Sequence, residues 1–389
     1  MTEPAREIDV EFLRSERETL ERLLPGLDEA LTEIGPAALE RPGSPGVQAF
    51  RDAGGPGLLV PVEHGGLGAT PLDAVRVQRA IGVRSPSLAV ATTMHHFSVA
   101  SLVAASRHSS GFEWMLLTAI AKERLLLASG FAEGETGQAI LAPTMSMAQR
   151  DGKLFISGVK RPCSLSRSMD LLTASVLVPD ESGQEQLAVA LIPAGSPGLE
   201  VNAFWGSWVL AGAESDEVVL ADVEVDPGMV VVTEFSRDSQ LDPLQTVGFL
   251  WFELLVTASY LGVVSALVER MLGRTGIAAT ERAAAAVAVQ AAMVGVEGVA
   301  RNAVARSAVG DPAWQQLLAE ALVVRYATQD MIGRTAQRCV EALGGMSFVG
   351  SGEVAYLAAA SAGLAFHPPS RSRMADQLCE VFAGGPLRV

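Results

Sequence analysis

Residues 344–348 read GGMSF and residues 366–369 read FHPP, and these two strings decide the fold of the chain. The paired glycines end a long run of helix-forming residues, which indicates the end of a helix. In the second string the Pro368 side chain cannot accept a proton, whereas the imidazole of His367 titrates close to neutral pH. The strings therefore predict a helix that is followed, after a short interval, by a turn carrying an imidazole and no carboxylate.

The composition is that of a globular protein with two or three domains. The chain has 389 residues, 49% of them hydrophobic and 19% charged, and a net charge of -15. Phosphates would repel so acidic a protein, which argues against nucleic-acid and anionic-membrane partners. The cysteines and histidines lack metal-ligand spacing, so no metal site is expected. With no signal-peptide pattern at residues 1–4, the sequence predicts a protein of the reducing cytoplasm.

Three segments differ in pattern and predict three domains. Residues 1–125 and 236–389 show apolar residues at helical spacing. Residues 126–235 instead hold short β-branched runs between turn pairs, which are typical of a β-sandwich or barrel. These runs are LFISGVK at 154–160, LLTASVLV at 171–178, LAVALIP at 187–193 and EVVLADVEV at 217–225. The apolar run 248–268 is long enough for a membrane span, but Glu253 interrupts it and a buried bundle helix is the better interpretation.

These motifs resemble the acyl-CoA dehydrogenase superfamily. The string VPVEHGGLG at residues 60–68 is similar to a turn of that family, and the paired glycines stand at the family's interval before its general-base glutamate, here replaced by Pro368. The resemblance implies an α+β multidomain fold with an N-terminal α-helical domain, a central β-barrel or sandwich and a C-terminal four-helix bundle. It also implies a flavin between the β domain and the bundle, in a homodimer or homotetramer.

The resemblance assigns flavin contacts along the chain. The string GFAEGETGQ at 130–138 is similar to the family's flavin loop, which implies contacts from Phe131, Ala132, Gly137 and Gln138. For the rest of FAD it implies Arg274 or Arg282, together with Gln290, Glu341, Gly344 and Gly345. The cofactor implied is FAD, or reduced FMN.

Around Ser164 the sequence is closer to the flavin monooxygenases built on this scaffold, such as the dibenzothiophene monooxygenase family. The strings GVKRPCS at 158–164 and DLLT at 170–173 carry that resemblance. It implies that Cys163 and Ser164 contact the flavin, with the serine hydroxyl near N5. The alternative is that Ser164 only caps a strand.

His95 and His96 are adjacent on a predicted helix, about 100° apart, so at most one faces a given cavity. The resemblance implies that this helix borders the substrate cavity, and that one of these histidines acts there together with His367. A structural role for the pair is the alternative.

Glu253 has two interpretations. Some relatives carry their base on the first bundle helix, one residue from this position, which would make Glu253 a proton acceptor. Otherwise Glu253 forms an ion pair or a polar contact of the pocket, because a buried carboxylate without a partner is costly.

The favoured function is a two-component flavin monooxygenase supplied with reduced flavin by a separate reductase. It would oxygenate a small nitrogen, sulfur or carbon nucleophile through a flavin C4a-hydroperoxide, with the substrate free or bound to a carrier. Ser164 would hold the peroxide, while His367 and His95 or His96 would bind it or take the substrate proton. The alternatives are an acyl-CoA or acyl-carrier-protein dehydrogenase with Glu253 as its base, and a flavin-binding scaffold without turnover.

Overall fold

The computed structural model describes residues 11–107, 111–134, 143–179, 185–232, 241, 243–304 and 313–388. The helices are α1 (Arg14–Leu23), α2 (Leu27–Ile34), α3 (Pro36–Leu39), α4 (Gly46–Asp52), α5 (Pro71–Arg84), α6 (Pro86–Ser106), α7 (Glu113–Glu123), α8 (Pro243–Leu272), α9 (Ala279–Val304), α10 (Ala313–Leu343), α11 (Gly345–Gly350), α12 (Gly352–Ala360) and α13 (Arg371–Phe382). The strands are β1 (Leu127–Gly130), β2 (Met147–Arg150), β3 (Lys153–Cys163), β4 (Leu171–Pro179), β5 (Glu185–Pro193), β6 (Leu199–Asn202), β7 (Asp216–Val225) and β8 (Val230–Val232). Short 3₁₀ helices cover Gly55–Gly57, Val62–His64, Ala211–Ala213, Pro227–Met229 and Ser361–Phe366.

Local sequence signals explain where the long N-terminal helices begin. Thr70 and Asp73 form a capping box at the start of α5, each side chain binding the other residue's backbone N–H. Ser85 caps α6 by accepting a hydrogen bond from the backbone N–H of Leu88. A proline stands at the start of each helix, where its missing N–H costs nothing.

The described strands form two four-stranded sheets, in the orders β1-β4-β5-β8 and β2-β3-β7-β6. Strands β1 and β4 run parallel, whereas the other pairs are antiparallel. The four β-branched runs of the sequence form β3, β4, β5 and β7. Together with the helices on either side, they confirm the predicted α+β fold.

Helix α8 lies at the centre of the helical part, in contact with α5, α6, α9 and α10. Gly82 and Gly262 let α5 and α8 pack closely, since a Cβ atom on Gly262 would lie 2.4 Å from the carbonyl oxygen of Arg79. Three described helices, α6, α8 and α9, are long and apolar enough to cross a membrane by length and composition. The apolar window of α8 is 94% buried inside the protein, as predicted for a bundle helix.

The predicted domain boundaries at 125/126 and 235/236 stay predictions. The change from helix to strand falls between α7 and β1, and the strands give way to helix between β8 and α8. However, α5 and α6 pack extensively against α8, so the helices before and after the sheets share one core.

Candidate active site

A cavity of about 800 Å³ lies between the sheets, helices α6 and α8, and the turn after α12. Apolar and aromatic side chains cover most of its wall. Its polar lining residues are Ser98, Ser101, Ser129, Ser164, Thr173, Ser207, Ser215, Gln245, Tyr260 and His367. Among the described residues, no Asp, Glu, Lys or Arg lines this cavity. Its chemistry therefore depends on hydroxyl groups, one amide and one imidazole.

Helix α6 presents Met94, Phe97, Ser98 and Ser101 to the cavity, at the three- and four-residue spacing of one helical face. His95 and His96 do not line it, so the expectation that one of them reaches the cavity needs correction. The helix is buried over most of its circumference, and the apolar pattern therefore did not indicate which face borders the cavity.

His95 connects three segments instead. Its Nε2 lies 3.0 Å from the carbonyl oxygen of Pro56, and its Nδ1 accepts a hydrogen bond of 3.1 Å from the backbone N–H of Leu127. These contacts fit a neutral ring protonated on Nε2. Burial lowers the pKa of His95 to about 4. His95 is thus a structural histidine that joins α6 to β1 and to the turn at residue 56.

His96 is fully buried beside the rings of Phe50 and His95. Neither of its ring nitrogens has a hydrogen-bond partner in the described part of the chain. Burial, and then the neighbouring His95, lower its pKa well below the usual value. A neutral imidazole without partners costs stability and has no access to a substrate.

Ser164 lines the cavity, directly after the end of β3. Its Oγ lies 3.0 Å from Oγ of Ser215, which also lines the cavity just before β7. Only one of these two hydroxyls donates to the other, so the second has a hydrogen available for a ligand. Cys163 does not line the cavity, and burial raises the pKa of its thiol to about 12. The side chain of Cys163 therefore does not make the predicted flavin contact in this cavity.

His367 lines the cavity at the turn after α12, and its Nε2 lies 2.9 Å from the hydroxyl oxygen of Tyr260 on α8. The ring is withdrawn from bulk water and lies near the charge of Arg325, and these two effects lower the pKa of His367 to about 3. A neutral imidazole is the consequence at working pH. His367 is therefore a much weaker base than an ordinary histidine, and its catalytic role stays a prediction.

Glu253 does not line the cavity, and the interpretation as an ion pair is the one that the geometry supports. Both of its carboxylate oxygens lie 2.8 Å from Nη1 of Arg325, and both side chains are almost completely buried. Burial raises the pKa of Glu253 to about 7, although Arg325 opposes the shift. A carboxylate held in this way cannot reach a substrate in the cavity.

Arg325 also fixes the turn that carries His367. Its guanidinium donates to the backbone carbonyls of Leu364, His367 and Pro368. Arg325 lies on α10 with no motif around it, so sequence patterns do not indicate its role. No motif marks Tyr260 either. It lies on α8 and lines the cavity, where it is a second titratable group beside His367.

The other predicted cofactor residues divide into three groups. Phe131 and Ala132 line the cavity. Gly137 and Gln138 lie outside the described residues. The predicted contacts to the rest of FAD, which do not line this cavity within one chain and stay predictions, are Arg274, Gln290, Glu341, Gly344 and Gly345. The side-chain oxygen of Gln290 accepts a hydrogen bond of 2.7 Å from Arg79, and Glu341 is bonded to Gln337.

The residues that are present fit a flavin. The sheet side of the cavity carries the hydroxyls of Ser129, Ser164 and Thr173, and the helix side carries the rings of Phe97 and Phe252. A flavin ring system has broad apolar faces and a polar edge, so it matches a wall of this kind.

Comparison with known proteins agrees with this geometry. No family model matches the chain. Isobutylamine N-hydroxylase from Streptomyces viridifaciens is 47% identical over 380 residues, which cover 97% of this chain and 99% of the relative. The chain belongs to this family of flavin-dependent monooxygenases.

Solved structures support the fold. The structure of KijD3 in complex with dTDP has a TM-score of 0.81 at 18% identity, covering 96% of this chain and 97% of that chain. FMN-bound TdsC from Paenibacillus sp. A11-2 has a TM-score of 0.77 at 20% identity and covers 98% and 99% of the two chains. At these identities the likenesses show the fold, which is the acyl-CoA dehydrogenase fold that the sequence predicted.

Proposed function

We propose that this protein N-hydroxylates small primary aliphatic amines. A relative that is 47% identical over almost the whole chain is named for this activity on isobutylamine. In the overall reaction an amine, O₂ and two reducing equivalents from reduced flavin give a hydroxylamine, oxidised flavin and water. The flavin, when bound, activates O₂ and supplies the electrons, while the chain binds the amine and excludes water.

The observation that carries the proposal is the wall of the cavity, which lacks a charged side chain among the described residues. Desaturation of an acyl chain requires a base that removes a carbon-bound proton. Glu253 is the carboxylate that the sequence offered for this task, and Arg325 holds it outside the cavity wall. Oxygen transfer to an amine needs a lone pair on nitrogen and a dry pocket, and this cavity supplies such a pocket.

Ser164 and Ser215 are the groups that we assign to the polar edge of the flavin. Their shared hydrogen bond leaves one hydroxyl hydrogen for a ligand on the sheet side of the cavity. His367 and Tyr260 lie on the α8 side and are assigned to the substrate. The two groups of polar residues thus separate cofactor from amine.

Several associated features belong to the same proposal. A separate reductase would supply the reduced flavin. The described cavity fits the ring system that FMN and FAD share, and FAD would in addition need the predicted contacts at Arg274, Gln290 and Glu341. We further propose a homodimer or homotetramer in the cytoplasm.

The test is an assay of the purified protein with FMN that an unrelated reductase keeps reduced. Isobutylamine is one substrate and a short-chain acyl-CoA is the other, with product identified by mass spectrometry. We expect N-isobutylhydroxylamine from the amine and no enoyl product. Formation of an enoyl-CoA, with the amine unchanged, would overturn the proposal.

A further inference from the structure

Tyr260 and His367 form an uncharged pair at the edge of the cavity. Their Oη and Nε2 atoms are 2.9 Å apart, and Gly363 makes this approach feasible, since a Cβ atom there would lie 2.4 Å from Oη of Tyr260. Both residues line the cavity, and Nδ1 of His367 makes no hydrogen bond in the described part of the chain. The pair therefore presents one ring nitrogen to a ligand while the other is fixed by the tyrosine.

The pair can either donate or accept a hydrogen bond without carrying charge. When Tyr260 donates to Nε2, the neutral ring carries its hydrogen on Nδ1 and donates into the cavity. When Nε2 donates to the tyrosine oxygen, Nδ1 is an acceptor and the hydroxyl hydrogen of Tyr260 is free. A neutral primary amine offers both a lone pair and N–H groups, so it complements either state.

An ammonium group does not find a partner of opposite charge here. At neutral pH an aliphatic amine is almost entirely protonated, because its pKa lies near that of the lysine side chain, at about 10.4. Moving such a cation into an apolar cavity without a carboxylate costs several kcal/mol. Protonated nitrogen also lacks the lone pair that attacks oxygen.

We propose that this cavity binds its amine substrate as the uncharged free base, hydrogen-bonded to the Tyr260–His367 pair, and therefore selects amines that carry no second charged group. The proposal rests on amine N-hydroxylation as the proposed function. Tyr260 is on this view a substrate-binding residue. A carboxylate on the amine would meet no cation, and a second ammonium group would meet no anion, among the described lining residues.

The charged and titratable groups packed around the pair lie behind the wall. They are Glu253 on α8, Arg325 and Tyr326 on α10, and Arg371 beyond Tyr326. None of them lines the cavity. The rival arrangement is an ammonium held over the ring of Phe97, Phe249 or Phe252, since aromatic faces attract cations.

Binding distinguishes the two arrangements. Isothermal titration of the FMN-loaded protein with isobutylamine is carried out between about pH 6 and pH 9, below the pKa of the amine. Isobutanol, which has nearly the same shape and no charge, reports any titration of the protein itself, including that of Glu253. Valine serves as the amine with an added carboxylate. Turnover of isobutylamine is measured in parallel with reduced FMN.

We expect the affinity, expressed in total amine, to rise about tenfold per pH unit as the free-base fraction rises, while isobutanol shows no such trend. Valine should bind at least about tenfold more weakly than isobutylamine, since a carboxylate is costly to bury. Tyr260→Phe should weaken isobutylamine roughly fivefold at every pH and leave the slope intact, as expected for one lost hydrogen bond. Tyr326→Phe is the matched control, because its hydroxyl binds the carbonyl of Pro369 behind the wall, and it should leave amine affinity unchanged.

The outcomes separate this inference from the proposed function. Affinity that is constant or falls with rising pH, while isobutylamine is still hydroxylated, would overturn free-base binding alone. An equal loss of isobutylamine affinity in Tyr260→Phe and Tyr326→Phe would show that Tyr260 does not bind the substrate. A tenfold rise in amine affinity per pH unit, without any hydroxylation, would support free-base binding and refute the proposed function. Absence of both binding and turnover would refute both.

Discussion

Arg325 holds both carboxylate oxygens of Glu253 at 2.8 Å and, through the same guanidinium group, binds the backbone carbonyls of the turn that carries His367. Glu253 thus holds Arg325, and Arg325 in turn holds the turn that places the imidazole of His367 in the cavity. The ion pair is nearly inaccessible to solvent, with 1% of the arginine side chain and none of the glutamate side chain exposed. The ion pair holds the turn. Its loss should therefore lower stability, whereas the loss of a catalytic base would lower activity.

Replacing Glu253 with Gln should lower stability far more than activity. Above the pKa of Glu253, which is about 7, the change leaves the buried charge of Arg325 without its counter-charge, and we expect this to cost about 3 kcal/mol of unfolding free energy. Hydroxylation of isobutylamine by the folded variant should stay within about fivefold of wild type, as the residue does not touch the substrate. Chemical denaturation and steady-state kinetics below the unfolding temperature measure the two effects.

Glu269→Gln on the same helix is the matched control for this variant. Its ion pair with Arg17 is partly exposed, so the loss should be less than about 1 kcal/mol. A decrease of more than about a hundredfold in activity for Glu253→Gln, with unchanged stability, would instead identify Glu253 as a base.

Acid should destabilise the protein through its buried histidines. Burial depresses the pKa values of His95, His96 and His367 below that of an exposed histidine, so the unfolded chain binds protons that the folded chain does not. Their contribution to stability is therefore present above about pH 6.5 and is lost as the pH falls through the folded-state values. Each histidine should contribute at most about 1.4 kcal/mol per pH unit to the change of unfolding free energy with pH.

His96→Leu isolates one of these histidines. The substitution removes two buried nitrogens without partners, so the unfolding free energy at pH 7 should rise by about 1 kcal/mol. In acid, the decrease of the unfolding free energy with falling pH should become shallower by the equivalent of about one bound proton. Flavin binding and turnover should not change. His64→Leu, at a partly exposed turn, is the matched histidine control and should not raise stability at pH 7. Lost hydroxylation in a stable His96→Leu protein would instead identify His96 as a catalytic residue.

Ser164→Ala should weaken flavin binding. The cavity-facing hydroxyl is lost together with its contact to Ser215, and we expect the dissociation constant of FMN to rise about fivefold to tenfold. Titration followed by flavin fluorescence measures it. Ser166→Ala is the control, because that hydroxyl is equally buried but donates to the carbonyl of Glu214 and does not line the cavity. Similar effects of the two variants would mean that Ser164 only supports the end of β3.

Local patterns in the sequence indicated the strands and helices, and the resemblance to acyl-CoA dehydrogenases implied their arrangement. The runs that form β3, β4, β5 and β7 alternate or are β-branched, and paired glycines mark the end of α10. His367 lies in a turn with a distinctive string, and that turn borders the cavity. These features depend on neighbouring residues, which a single sequence displays.

The remainder of the site depends on contacts that sequence patterns do not reveal. Arg325 and Glu253 are 72 residues apart, and nothing in either segment indicates their pairing. On α6 almost every side is buried, so periodicity could not choose between His95, His96 and the neighbouring Met94 and Phe97 as the cavity face. The hydrogen bond between Tyr260 on α8 and His367 likewise joins a helix to a turn that is distant in the sequence.

The most direct test of the central claim follows the oxygen atom. Isobutylamine is incubated with the protein, reduced FMN and O₂ enriched in the heavy isotope, first with wild type and then with Glu253→Gln. We predict N-isobutylhydroxylamine carrying one labelled oxygen atom from both proteins. Product oxygen that comes from water, or a product without added oxygen whose formation is abolished in Glu253→Gln, would contradict an oxygenase that works without a carboxylate base.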